Sequence, residues 1–367
     1  MNTINVTRSS MPGYEEYCEE IRSLWDSHWL TNMGEKHRAL EAALRDYLGA
    51  ANVTLTTNGH LALENMIQVF DLHGEIITTP YTFASTTHAI ARCGCTPVFC
   101  DVDPGDLTMD VHRLEELITP RTVAILPVHV YGNLCDTEAI DAIAKRHGLR
   151  VLYDAAHAFG VEKNGVSAAC FGDASVFSFH ATKVFNTIEG GAVCYGDSSL
   201  VTRFNDLKNF GIHSAEEVPF IGGNAKMNEF CAAMGLCNLR HVDGEIAKRR
   251  AVAERYDARL SGVEGIRLSP VQEGVKRNYA YYPVLFENYR LDRDQIFEKL
   301  KEHNVIARKY FYPLTNSFAC YRERLGCAPE DTPVAKHAAD CVLTLPLYAD
   351  LALEDADRIC DLILEEG

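Results

Sequence analysis

The chain is predicted to be an α/β protein, with a large, mostly parallel sheet domain covered by helices on both faces and a smaller C-terminal α/β domain. Three observations predict this. Short apolar runs alternate with stretches of helical periodicity from Val53 to Tyr195. The 367 residues exceed what one hydrophobic core usually serves. After Tyr195 the pattern changes, passing through a Gly-rich polar loop into a long, charge-dense helical stretch. The expected division is residues 1–239 for the large domain, with its N-terminal helices, and 240–367 for the small one.

Taken in order, Pro12-Gly13 is a turn signal, and YCEEIRSLWDSHWL places Tyr17, Ile21, Leu24, Trp25 and Trp29 on one helical face. Both tryptophans read as packing anchors. The segment 31–34 ends that helix, and a second is expected over Lys36–Leu48. Val53–Thr57 reads as a strand that turns at Asn58-Gly59-His60 straight into a helix, which makes a ready anion site. Alternation then continues through EIITT, TFASTTHAIARC, TPVFCDV, a helix after Met109, TVAILPVHV, a helix over Thr137–His147 and the strand Arg150–Tyr153. Ligands of such sheets collect at the carboxyl ends of strands. Asn58, Tyr81, Phe83, His129, Asp154 and Ser178 all fall at or just after such ends. Further on, helices are expected near Ser198–Phe210, from Glu229 to about Leu260, and over Arg293–His303 and Leu353–Leu364. Strands are expected at Tyr279–Phe286, Val305–Ala307 and Val342–Leu345.

A net charge of -16 argues against a nucleic-acid partner, because phosphate neutralisation needs clustered Lys and Arg. It leaves room for a phosphorylated small molecule in a locally positive pocket. The thirteen cysteines are an odd number without paired C-x-x-C spacing, so no metal site is expected and buried, reduced thiols are. No signal-like segment and no run of membrane-span length is seen, which reads as a cytoplasmic protein with no membrane partner. No G-x-G-x-x-G follows an early strand, which argues against a nicotinamide dehydrogenase.

The stretch from Val151 to Gly191 carries the chemistry. One buried strand delivers Asp154, and a second, Ala174–Phe179, delivers Ser178, His180 and Lys183. A lysine in that position can form an imine with pyridoxal 5′-phosphate (PLP), and the aspartate can keep the pyridine nitrogen protonated so that the ring draws electrons. His88, His112, His147 and His241 read as surface or satisfied core histidines.

TNGHLALE, TPYTFASTTHAIARCGCTPVFCDVDP, PVHVYGNLCD, DAAHAFG, FGDASVFSFHATK, EGG, GGNAKMNEFCAAMGL, YFYPL and LPLY occur in this order over nearly the whole chain. The set resembles the PLP-dependent sugar aminotransferases of the DegT or StrS family, within aminotransferase fold type I. The resemblance implies Lys183 as the Schiff-base lysine and proton carrier, Asp154 on the pyridine nitrogen, and His157 against the ring or its substituents. It implies Phe83 stacked on the cofactor face and Gly59, His60 and Ser178 at the phosphate. Asn224 falls on the loop that in relatives reaches the neighbouring subunit's phosphate, which implies a homodimer with sites at the interface. His129, Arg308, Tyr310 and Tyr312 are the candidate substrate contacts.

The function so implied is transfer of an amino group from L-glutamate to a nucleotide-linked keto-deoxy sugar, at C4 of a dTDP-4-keto-6-deoxy-hexose, for surface polysaccharide. Amination at C3, cyclitol amination, dehydration and a non-catalytic sensor are the alternatives. Lys183 itself argues against dehydration, since the dehydrating branch carries histidine there. Two departures stand out: His60 replaces a small hydroxyl residue, and Ile188 stands where glycine is common.

Overall fold

A computed structural model describes residues 3–325 and 327–365. In chain order, strand β1 (Ile4–Asn5) precedes helices α1 (Tyr14–Ile21), α2 (Leu24–Ser27) and α3 (Glu35–Leu48). Next come β2 (Asn52–Thr56), α4 (Gly59–Val69), β3 (Glu75–Thr78), α5 (Ala84–Arg92), β4 (Thr96–Phe99), α6 (Val111–Leu114), β5 (Thr122–Ile125), α7 (Thr137–His147) and β6 (Arg150–Asp154). A small hairpin, β7 (Glu162–Lys163) and β8 (Val166–Ser167), leads to β9 (Ala174–Ser178), β10 (Gly191–Tyr195), α8 (Val201–Leu207) and α9 (Glu229–Leu260). The C-terminal part holds β11 (Ile266–Leu268), β12 (Val275–Lys276), β13 (Tyr282–Phe286), α10 (Arg293–Glu302), β14 (Val305–Ile306), α11 (Ala319–Leu325), α12 (Pro333–Cys341), β15 (Val342–Leu345) and α13 (Leu353–Leu364).

Among the described residues the large sheet has seven strands in the order β2-β10-β9-β6-β5-β3-β4. All neighbours in it run parallel except β10, which is antiparallel to both β2 and β9. Successive residues on a strand point to opposite faces, and here both faces are apolar. Ile76, Ala124, Leu152, Val176 and Val193 pack with Leu63, Met66 and Ile67 of α4 and Ile90 of α5. Their neighbours Ile77, Ile125, Val151 and Tyr153 face the other way, onto Leu114, Ile140, Ile143 and Ala144. Near-continuous hydrophobic strands are what two covered faces require. Local signals set the helix ends: Asn58, Asp136 and Asn228 cap α4, α7 and α9 with their side chains, while Gly148 closes α7 at φ 66°.

The N-terminus departs from expectation. The first helix stops at Ile21, and the short α2 buries only Leu24. The tryptophans are not core anchors: Trp25 is 64% and Trp29 49% exposed. Trp25 meets Phe230 edge-on at 6.0 Å, and Arg38 lies over Trp29 at 5.3 Å. The break in the helix rotates both rings away from the interior.

Residue 240 lies inside α9, which runs unbroken from Glu229 to Leu260. Its Val242 and Ile246 belong to the large-sheet core, whereas Val252, Ala253, Tyr256 and Leu260 pack with β13, β15 and α13. Ile4 joins that second core through parallel pairing of β1 with β14. We propose that the two-domain division falls between Ile246 and Val252, with β1 belonging to the C-terminal unit.

Candidate active site

A cavity of about 670 Å³ opens at the carboxyl ends of the parallel strands. Its wall is assembled from the turn after β2 (Asn58, Gly59, His60), the segment after β3 (Thr82, Phe83, Ser85) and the end of β6 (Asp154, Ala156, His157). Ser178 at the end of β9, His180, Thr182, Lys183 and Glu189 on the following loop, and Tyr281, Tyr310 and Phe311 complete it. Asp154, His157, Ser178, Gly59, His60, Phe83, Lys183 and Tyr310, far apart in sequence, thus face one space.

Asp154 is 5% exposed. Its Oδ2 accepts from Thr86 Oγ1 at 2.7 Å and its Oδ1 from the Ala156 N–H at 3.1 Å. Burial pushes this carboxyl above its ordinary value, and those two hydrogen bonds and the Lys183 charge only partly offset the effect. Among the described residues no Lys, Arg or His forms an ion pair with it. Three residues beyond it on the same wall, His157 is held neutral because burial drives its imidazole well below the ordinary value. Its Nδ1 accepts from the Tyr131 N–H at 3.1 Å, which puts the ring proton on Nε2. Phe311 stacks on His157 at 5.8 Å. Lys183 Nζ donates to Tyr281 Oη at 3.2 Å.

At the other end of the cavity the helix α4 begins. Its first-turn N–H groups, from Gly59 and His60, have no acceptor within the helix. A Cβ at Gly59 would come within 2.8 Å of Ser178 Cβ, so glycine is required for this close approach. The result is a concave patch of donors next to a serine hydroxyl, suited to an anion. The Ile188 backbone, at φ 70°, lies in the left-handed region that disfavours β-branched residues and favours glycine.

Other expectations are corrected. His129 does not line the cavity. It is fully buried behind it, stacked on Tyr153 at 4.6 Å with Nδ1 accepting from the Cys135 N–H. Arg308 is exposed and pairs through its backbone with Thr344, and Tyr312 is 51% exposed beside Arg293, so neither reaches the cavity. The strand leading to Tyr310 ends at Ile306, and of YFYPL the residues Tyr310 and Phe311 line the cavity while Leu314 packs into the core. Asn224 also lies outside its own chain's cavity, exposed on a loop that the Ala225 carbonyl ties to the Thr57 N–H at 2.8 Å. Sequence reasoning missed Thr86, Ser85, Glu189, Tyr281 and Phe311. The hydroxyl run Ser85-Thr86-Thr87 after Phe83 was the available signal for the first two.

A second groove of about 610 Å³ lies between α7 and the β7–β8 hairpin. Its lysines are neutralised by neighbours, Lys145 by Asp141 at 2.6 Å and Lys163 by Glu138 at 3.4 Å, so it offers no free charge to a ligand.

A buried carboxyl group and a lysine on one cavity at the strand ends of a doubly covered sheet are the residue types that aminotransferase chemistry uses. The family model for the DegT/DnrJ/EryC1/StrS aminotransferase family matches residues 13–364. This chain belongs to that family and is an aminotransferase. It is 40% identical over 366 residues to the dTDP-4-amino-4,6-dideoxy-D-glucose transaminase of Escherichia coli, covering 99% of this chain and 98% of that one. The GDP-perosamine synthase of Caulobacter vibrioides is 31% identical, with 97% and 96% covered. Among solved structures, DesI in the presence of its TDP-sugar product superimposes with a TM-score of 0.94 at 34% identity, covering 99% of this chain and 92% of that one. Among the described residues no helix is long and apolar enough to cross a membrane.

Proposed function

We propose that the cavity binds PLP and that the chain moves an amino group from L-glutamate to a nucleotide-linked keto-deoxy sugar, at C4 of a dTDP-4-keto-6-deoxy-hexose. The observation that carries the cofactor assignment is Asp154: a buried carboxylate with no cationic partner among the described residues, on one cavity with Lys183. A protonated pyridine nitrogen is the counter-charge such a carboxylate lacks. When bound, the cofactor supplies the electron sink that transamination needs.

The chain's own residues do the rest. Thr86 and the Ala156 N–H aim the two Asp154 oxygens, and neutral His157 presents an uncharged ring on the same wall. Lys183 would hold the cofactor through Nζ and would carry the proton there once released, with Tyr281 Oη at 3.2 Å to orient it. Gly59, His60 and Ser178, which line the cavity at the start of α4, would hold the phosphate, and Phe83 would lie against the ring. Tyr310 borders the space left for substrate.

The sugar assignment is supported by the name of the Escherichia coli relative, a 4-amino-4,6-dideoxy sugar transaminase, and by DesI with its TDP-sugar product. We include a homodimer in the proposal, with Asn224 serving the neighbouring subunit's phosphate site. Exposed Ile188, Phe210 and Ile221 support it, since apolar side chains of that size favour a covering partner. A cytoplasmic location belongs to the same proposal, since the substrate is a soluble nucleotide sugar.

The test is the absorption spectrum of the purified chain with PLP, before and after L-glutamate. A visible band that shifts with glutamate and returns with a dTDP-4-keto-6-deoxy-hexose is the expected result. A band indifferent to glutamate points to another donor, and no band at all overturns the cofactor assignment.

A further inference from the structure

Resting on that cofactor assignment, we propose that His60 and Ser85 form a proton-linked phosphate clamp, backed by the pair Glu64–Arg92. His60 lies in the first turn of α4, where its backbone already faces the anion site. Its Nε2 is 3.2 Å from Glu64 Oε1, one helical turn on, and its Nδ1 is 2.8 Å from Ser85 Oγ on α5. Glu64 is 9% exposed and is held by Arg92 Nε from α5. His60 and Arg92 together keep the Glu64 carboxyl below its ordinary value, so it is a carboxylate.

A carboxylate only accepts, so Nε2 must carry a hydrogen. Nδ1 then decides what the cavity meets. In neutral His60, Nδ1 accepts the Ser85 O–H, and the serine turns lone pairs toward the cavity. In cationic His60, Nδ1 donates to Ser85 Oγ, and the serine hydrogen is free to point at a ligand. A phosphate at the start of α4 favours the second arrangement twice, through the imidazolium charge and through the freed hydroxyl donor. Binding therefore takes one proton from solvent onto Nδ1 and reverses the direction of the Ser85 hydrogen bond. The charged and titratable groups around His60 are Glu64 on α4, His88 and Arg92 on α5, and His180, Lys183 and Glu189 across the cavity. Of these, Glu64 is the one whose carboxylate lies within 3.2 Å of the ring, at Nε2.

The experiment is titration calorimetry of the full-length chain freed of cofactor, at pH 8, in two buffers of different ionisation enthalpy. Pyridoxamine 5′-phosphate is compared with pyridoxamine, which has the same ring without the phosphate. The excess proton uptake for the phosphorylated ligand should approach about one per site and vanish in His60→Asn. Ser85→Ala should weaken pyridoxamine 5′-phosphate by about tenfold and leave pyridoxamine unchanged. Equal uptake for both ligands in the wild type, or an excess that survives His60→Asn, overturns the clamp while leaving the cofactor assignment intact. Failure of pyridoxamine 5′-phosphate to bind overturns both.

Discussion

At the C-terminal end of the molecule, charge is paired at the surface over an apolar interior. Arg255 and Arg259 of α9 reach Asp357 and Asp361 of α13 at 2.6, 3.0 and 2.5 Å, above a core that includes Leu260, Val284, Leu343 and Ile359. At the carboxyl ends of the large sheet the arrangement is reversed. Asp154 and His157 are buried with their ionisation displaced toward the neutral forms, and among the described residues neither forms an ion pair. A protein gains nothing in stability from a buried, unpaired carboxylate. The contrast shows which region is built for folding and which for a ligand that brings its own charge.

The sharpest way to break the contrast is Lys183→Ala. It should lower the glutamate-dependent spectral change by at least about three orders of magnitude in rate, while the melting temperature without cofactor stays near wild type. A variant that retains turnover would remove Lys183 from the chemistry.

Asp154→Asn tests the unpaired charge itself. Burial raises the native value above the unfolded one, so without cofactor the folded chain holds this proton more tightly, and stability falls as pH rises through that window. Each unit of displacement costs about 1.4 kcal/mol once the group is ionised. The cofactor-free variant should therefore melt above wild type at pH 7.5, and the order should reverse with PLP, which the variant binds at least about tenfold more weakly. Thermal melts with and without PLP decide it. If the variant melts below wild type in both, Asp154 serves the fold alone.

His129 sharpens the picture one layer below the site. Burial depresses its value to about 3, so the folded chain keeps it neutral while the unfolded chain protonates below about 6.5. The stability it contributes is present above that value and lost as pH falls, by about 2 kcal/mol at pH 5. Urea midpoints at pH 7 and pH 5 should show His129→Asn losing that share of the pH dependence.

The smallest effect is expected from Arg259→Ala. This residue's guanidinium is a third exposed, so its pairs with Asp357 and Asp361 are screened by water. The melting temperature should move by no more than about 2 °C and PLP affinity not at all. A large loss of affinity would show that the two regions are coupled.

Much of the site was legible in the chain because strand ends and helix starts are local signals. The run Val151–Tyr153 announced Asp154, and Asn58-Gly59 announced the anion cradle; the structure has both at the cavity. The strand Gly191–Tyr195 was not picked out, since a five-residue apolar run after Glu189-Gly190 carries no mark of its antiparallel place between β2 and β9. Tyr281 and Phe311 were missed for a related reason: they belong to aromatic stretches whose inward members depend on how the C-terminal unit lies over the sheet.

What the sequence determined by itself was the alternation of elements, the family and the side chains able to do the chemistry, because each follows from periodicity, capping or a contiguous motif. Only the tertiary structure decided which of those side chains share a space. It drew Tyr310 in, left Arg308 and Tyr312 outside and buried His129. It also left Trp25 and Trp29 exposed. These outcomes turn on chain crossings between residues distant in sequence, and no local pattern encodes such crossings.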